Sequence, residues 1–116
     1  MIKGASKGEK VFISQPMAGK MHREIEDERF NVVKQLEKNG FTVIDSVIAK
    51  TPDEAFKAPV YYLSQAILKL SQADCAYFME SWEEARGCRI EHMICEEYGI
   101  PIIEIWEQAG ARDRNE

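Results

Sequence analysis

A chain of 116 residues lies in the range that buries one core, so a single domain is expected. With 45% hydrophobic and 30% charged residues it has the composition of an ordered globular protein. A net charge of −5 without a basic cluster argues against a polymeric nucleic-acid partner, whose phosphates need Lys and Arg. No apolar run approaches the roughly 18 residues of a membrane span, and the N-terminal stretch lacks the apolar segment of a secretion signal. A cytoplasmic protein with no membrane partner is therefore expected. Cys75, Cys88 and Cys95 show no paired spacing, so reduced thiols are expected, with neither a disulfide framework nor a metal site. Cys75 and Cys95 read as small core residues. Cys88, flanked by Arg86 and Arg89 near a helix start, lies in surroundings that can depress a thiol pKa.

Residues 1–9 carry Gly4, Ser6 and Gly8 with few apolar groups and read as a flexible tail. Val11-Phe12-Ile13 is a short β-forming run, the pattern of a strand buried on both faces. It leads into Ser14-Gln15-Pro16-Met17-Ala18-Gly19-Lys20, a turn-rich loop. Pro16 there fixes φ, and Gly19 permits a conformation or close ligand approach closed to other residues. The loop matches neither the dinucleotide fingerprint nor the P-loop. From about His22 to Asn39, Ile25, Arg29, Val32, Val33 and Leu36 recur near helical spacing, with an acidic first half and Lys34 and Lys38 late, as the helix dipole favours. Asn39-Gly40 ends that helix.

Phe41-Thr42-Val43-Ile44 reads as a second strand with Asp45-Ser46 at its carboxyl end, where the pair either shapes a turn or meets a sugar hydroxyl or base edge. Residues 47–59, with Pro52 and Pro59, read as an irregular crossing segment, a lid or subunit contact. Val60 to Ala73 reads as a second helix with Leu63, Ile67, Leu68 and Leu70 inward, and Tyr61 and Tyr62 as packing or interface residues or, alternatively, a base-stacking platform. Cys75 to Met79 is a third strand. The stretch Trp82 to His92 then opens into a helix from about Gly87, whose expected inward stripe is Ile90, Met93 and Ile94 with Cys95 and Tyr98, and which ends at Gly99. Glu91 and His92 fall off that stripe. Ile100 to Ile105 forms a fourth strand with Pro101 at its start, and 106–116 is a polar tail.

The alternation β-α-β-α-β-α-β implies an α/β domain over residues 10–105. The expected architecture is Rossmann-like, three-layer αβα, with a four- to five-stranded, mainly parallel sheet. In such a sheet the loops after the first three strands converge on one edge, where ligands bind. That edge gathers Ser14 to Gly19, Asp45 and Ser46, and Trp82 to Glu91. A carboxylate early in a helix is favoured by the dipole by roughly 0.3–1 kcal/mol, which explains Glu91 as plain charge complementarity unless the surrounding loops make it more.

The runs from Val11 to Gly19, Ser71-Gln72-Ala73-Asp74 before a strand, Trp82 to His92, and Tyr98-Gly99-Ile100-Pro101 resemble the nucleoside 2-deoxyribosyltransferase-like superfamily, and within it a small branch common in bacteria and their phages. The resemblance spans most of residues 10–105. It implies a homodimer or larger homo-oligomer with a pocket for a nucleoside or nucleoside 5′-monophosphate and no cofactor. In active members a glutamate near the start of this helix attacks the anomeric carbon, and Glu91 matches it. Taken with the converging loops, the candidate substrate-binding residues are Phe12, Ser14, Gln15, Pro16, Met17, Gly19, Asp45, Ser46, Trp82, Arg86 and Gly87, with Arg86 assisting an anionic substrate.

Two positions depart from the family pattern. Active members carry a tyrosine in the first strand that hydrogen-bonds the nucleophile, where this chain has Phe12. They also carry an aspartate about two turns before the Ala-Asp pair, where this chain has Ala66. Asp45, His92, Glu84 or a partner-subunit residue are the candidate substitutes. Three readings follow: an enzyme acting on the N-glycosidic bond, a non-catalytic binder of a nucleotide or ADP-ribose-like signal, and an oligomerising domain with a vestigial pocket.

Overall fold

The computed structural model describes residues 9–44 and 57–104. The expectations for Asp45 and Ser46, for residues 1–8 of the 1–9 tail, for the crossing segment 47–59 up to residue 56 and for the tail from 106 fall outside them. Strand β1 (Lys10–Ser14) is buried from Val11 onward because both its faces are covered by helices. It pairs in parallel with β2 (Thr42–Val43) on one side and β3 (Cys75–Phe78) on the other, and β4 (Ile102–Ile103) pairs in parallel with β3. The order β2-β1-β3-β4 is that of an open, doubly wound sheet.

Alternation along β1 sends its side chains to two cores. Val11 and Ile13 join Leu36, Phe41, Met79 and Ile103 under helix α1 (His22–Lys38). Phe12 joins Ala66, Leu70, Ala76, Phe78 and Cys95 beneath α2 (Ala58–Leu70) and α3 (Arg86–Tyr98). The layers are thus α1, sheet, and α2 with α3. The crossover through α1 and those through α2 and α3 run to opposite sides of β1. The strand order therefore reverses between β1 and β3, and the carboxyl ends of those strands open a crevice there.

The edge strands are shorter than the apolar runs that predict them. Pro101 has no N–H to donate, but its carbonyl accepts from Ala76 N–H at 2.9 Å, so pairing begins one residue later. Helix α2 starts two residues before Val60, with Pro59 in its first turn, where the missing N–H costs nothing. Leu68, expected inward, is exposed, because the buried side is set by Ala66 and Leu70.

The inward stripe of α3 is corrected more substantially. Cys88, Glu91 and Cys95 face the sheet, whereas Met93 is 52% and Tyr98 81% exposed. Treating Glu91 as an outward polar residue rotates the predicted stripe away from the real one. Among the described residues no helix is long and apolar enough to cross a membrane.

Candidate active site

Ser14 ends β1 opposite Phe78 of β3, and its carbonyl accepts from Met79 N–H at 3.0 Å, so its position is fixed by the sheet. Its hydroxyl donates to Glu91 Oε1 at 2.6 Å, and both side chains are buried, at 1% and 7% exposure. Burial pushes the Glu91 carboxyl above the ordinary carboxylate range, and the Ser14 hydrogen bond counters that rise by favouring the charged form. The Cys88 thiol is also raised: burial is the main cause, Glu91 adds to it, and Ser14 opposes it. The expectation of a depressed, reactive thiol therefore fails, because the thiol is packed away from solvent and beside a carboxyl.

Helix α3 is entered through a tight turn. Ser81 takes a left-handed conformation (φ 70°), a short 3-10 turn covers Trp82–Glu84, and Ala85 is extended. Ala85 has no side chain able to cap, so the first N–H groups of α3 are left uncapped. They open on a cavity of about 640 Å³. One wall is apolar, from Met17 and Ala18 of the β1–α1 loop and from Pro59, Tyr62, Leu63 and Ala66 of α2. The start of α3 and the turn before it contribute Glu84, Arg86, Gly87 and Arg89, and Phe12, Gln15 and Glu91 line the space as well. A Cβ on Gly87 would meet nothing within 4 Å, so packing does not demand glycine there and its open side adds to the cavity. Gly19 sits at φ +78° in an exposed turn outside the wall, where the backbone itself requires glycine.

The cavity thus gathers Phe12, Gln15, Met17, Arg86, Gly87 and Glu91 of the candidate residues. Ser14 lies behind Glu91, and Pro16 is buried off the wall. Trp82 stacks on His92, with ring centres 4.0 Å apart and planes 6° apart, and packs on Phe78. Both Trp82 and His92 line a neighbouring cleft of about 560 Å³. Gln15 donates through Nε2 to Ile25 O at 2.8 Å, tying the loop to α1. Residues 9–104 match the family described as domain of unknown function DUF4406. The chain belongs to that family. No curated protein and no solved structure matches it.

Within this DUF4406 domain residue reading offered Tyr62 as a base-stacking candidate but missed the rest of the α2 wall. Pro59, Tyr62, Leu63 and Ala66 follow i, i+3, i+4, i+7 spacing, a signal available in the sequence once Ala66 counts as an inward residue. Of the groups considered as replacements for the family's missing helpers, Glu84 lines the cavity. His92 is held between Trp82 and Phe78 and sits 3.6 Å from Glu96, and Asp45 lies outside the described residues. Among the described residues no cluster of His, Cys, Asp and Glu is arranged to hold a metal ion.

Proposed function

We propose that the protein cleaves or exchanges the N-glycosidic bond of a deoxynucleoside, a nucleoside or its 5′-monophosphate in the cytoplasm, as a homodimer or larger homo-oligomer, with Glu91 as nucleophile. The observation that carries this reading is a buried carboxyl on the wall of a roomy cavity at the strand-order reversal. Burying a carboxyl costs stability, and a site that retains one there is a candidate for chemistry.

Each part of the substrate has a matching wall. A flat base suits the apolar side formed by Met17, Tyr62 and Leu63. A phosphate suits the uncapped start of α3 beside Arg86, with Gly87 leaving room for its approach. The sugar then lies between them, against Glu91. A carboxylate oxygen of Glu91 gives an electron pair to the anomeric carbon while the carbon–nitrogen bond breaks and its pair leaves with the base. The departing base takes its proton from solvent. Water then attacks the same carbon, the pair of the ester bond returns to Glu91, and the water's proton goes to solvent. A second base in place of water gives exchange.

Ala66 favours a second reading. It occupies the wall where an acid would serve the leaving base, so a binder that recognises a nucleotide or ADP-ribose-like signal without turnover fits the same cavity. Incubation with a panel of deoxynucleosides, nucleosides and their monophosphates, with chromatography for free base, separates the two. The enzyme reading expects base release that falls by about 10³-fold or more in Glu91→Ala. Thermal stabilisation by a nucleotide without any base release, retained in Glu91→Ala, sinks it in favour of the binder.

A further inference from the structure

We propose that Ser14 is the positioning residue of Glu91, pinning Oε1 so that Oε2 is the oxygen that attacks the anomeric carbon; this rests on the glycosyl-transfer reading above. Ser14 is held at the end of the central strand by its ladder bond to Met79, and its hydroxyl has no room to drift at 1% exposure. Its bond to Oε1 is the only side-chain hydrogen bond of Glu91 among the described residues. The only buried side-chain oxygen or nitrogen left without a partner among those residues is Gln15 Oε1. Glu91 Oε2, which has no hydrogen-bond partner among the described residues either, is therefore not sealed in, and the cavity that Glu91 lines is the space it reaches. Ser14 thus does from strand β1 what a tyrosine at the position of Phe12 would do, two residues further along the same strand.

The chemistry needs such a pin in both covalent states. In the free enzyme the hydroxyl donates to the carboxyl and favours its ionised form against the burial that opposes it. In the glycosyl ester Oε2 is bonded to carbon and Oε1 becomes the carbonyl oxygen, which still accepts from Ser14. When water attacks the carbon, the pair of the carbon–Oε2 bond returns to the carboxylate and Ser14 stabilises the charge that reappears. The ionisable groups around Glu91 are Cys88 and Cys95 on α3, Tyr62 on α2, and Glu84, Arg86 and Arg89 around the cavity. Among the described residues none of them hydrogen-bonds the carboxyl.

The test follows the carboxyl carbon of Glu91 by NMR titration in wild type, Ser14→Ala and Ser14→Thr, beside the pH profile of base release. Ser14→Ala is expected to raise the Glu91 titration, move the acid limb of kcat/KM to higher pH, and lower kcat about 10–100-fold with KM little changed. Ser14→Thr, which keeps the hydroxyl, is expected to restore both readouts. Should Ser14→Ala fail to fold, Ser14→Cys keeps the shape with a weaker donor and gives the same directions. A Glu91 titration that does not move in the variant overturns the proposal, as does a shifted titration with unchanged kcat. A wild-type protein that releases no base while its titration still responds to Ser14 overturns the glycosyl-transfer reading and the assignment of Oε2, so the two failures are told apart.

Discussion

Glu91 costs the fold something that its replacement by an amide would not. Burial raises its pKa in the folded state above the unfolded value of about 4.3. The folded state therefore binds the proton more tightly, so this residue's contribution to stability is fully present below the unfolded pKa and is lost as pH rises through the folded one. Glu91→Gln keeps an oxygen to accept from Ser14 but has no proton to lose. Urea unfolding at pH 5 and pH 8 is expected to show the variant gaining on wild type as pH rises, and parallel curves for the two proteins would contradict a raised carboxyl. Glu91 was legible as a candidate because its motif is contiguous. Its partner Ser14, 77 residues away, was legible as a loop and candidate substrate-binding residue but not as that partner, because a hydrogen bond across that separation leaves no local pattern.

Helix α3 illustrates where periodicity misleads. Its end is set locally: Gly99 adopts φ +74° and stops the helix in the left-handed conformation that glycine tolerates best. A Cβ there meets nothing within 4 Å, so Gly99→Ala suffers from backbone strain without a clash. A loss of about 1–2 kcal/mol, read as a Tm lower by several degrees in a thermal melt, is the expected outcome. The face of α3, by contrast, was assigned from hydrophobicity, and the only acidic residue on the buried side rotated that assignment. The same helix carries Arg86 and Gly87 at its uncapped start and Glu91 two turns in, so an error in its phase is an error about the site. In α2 the exposed Leu68 and the inward Ala66 make the related point: size of side chain is a weaker guide to burial than spacing from the residues that reach the sheet.

Cys75 and Cys95 lie in the two cores on either side of the sheet, and Cys88 is buried in the cavity lining. Cys75, Cys88 and Cys95 are free and buried, with Cys75 pushed up to about 12 and Cys95 to about 11, in each case chiefly by burial. A thiol-specific chromogenic reagent at pH 8 is expected to titrate none of the three in the native protein and all three after denaturation; fast reaction of one thiol in the native state would show that its side of the sheet opens. The order of elements, the helix stops at Gly40 and Gly99, and the double burial of β1 were all readable from the chain, because they arise from side-chain period and backbone preference within a few residues. Strand order and the partner of Glu91 were not. Each depends on which crossover passes on which side of β1, and that is settled when distant surfaces bury one another and every buried polar group finds a partner.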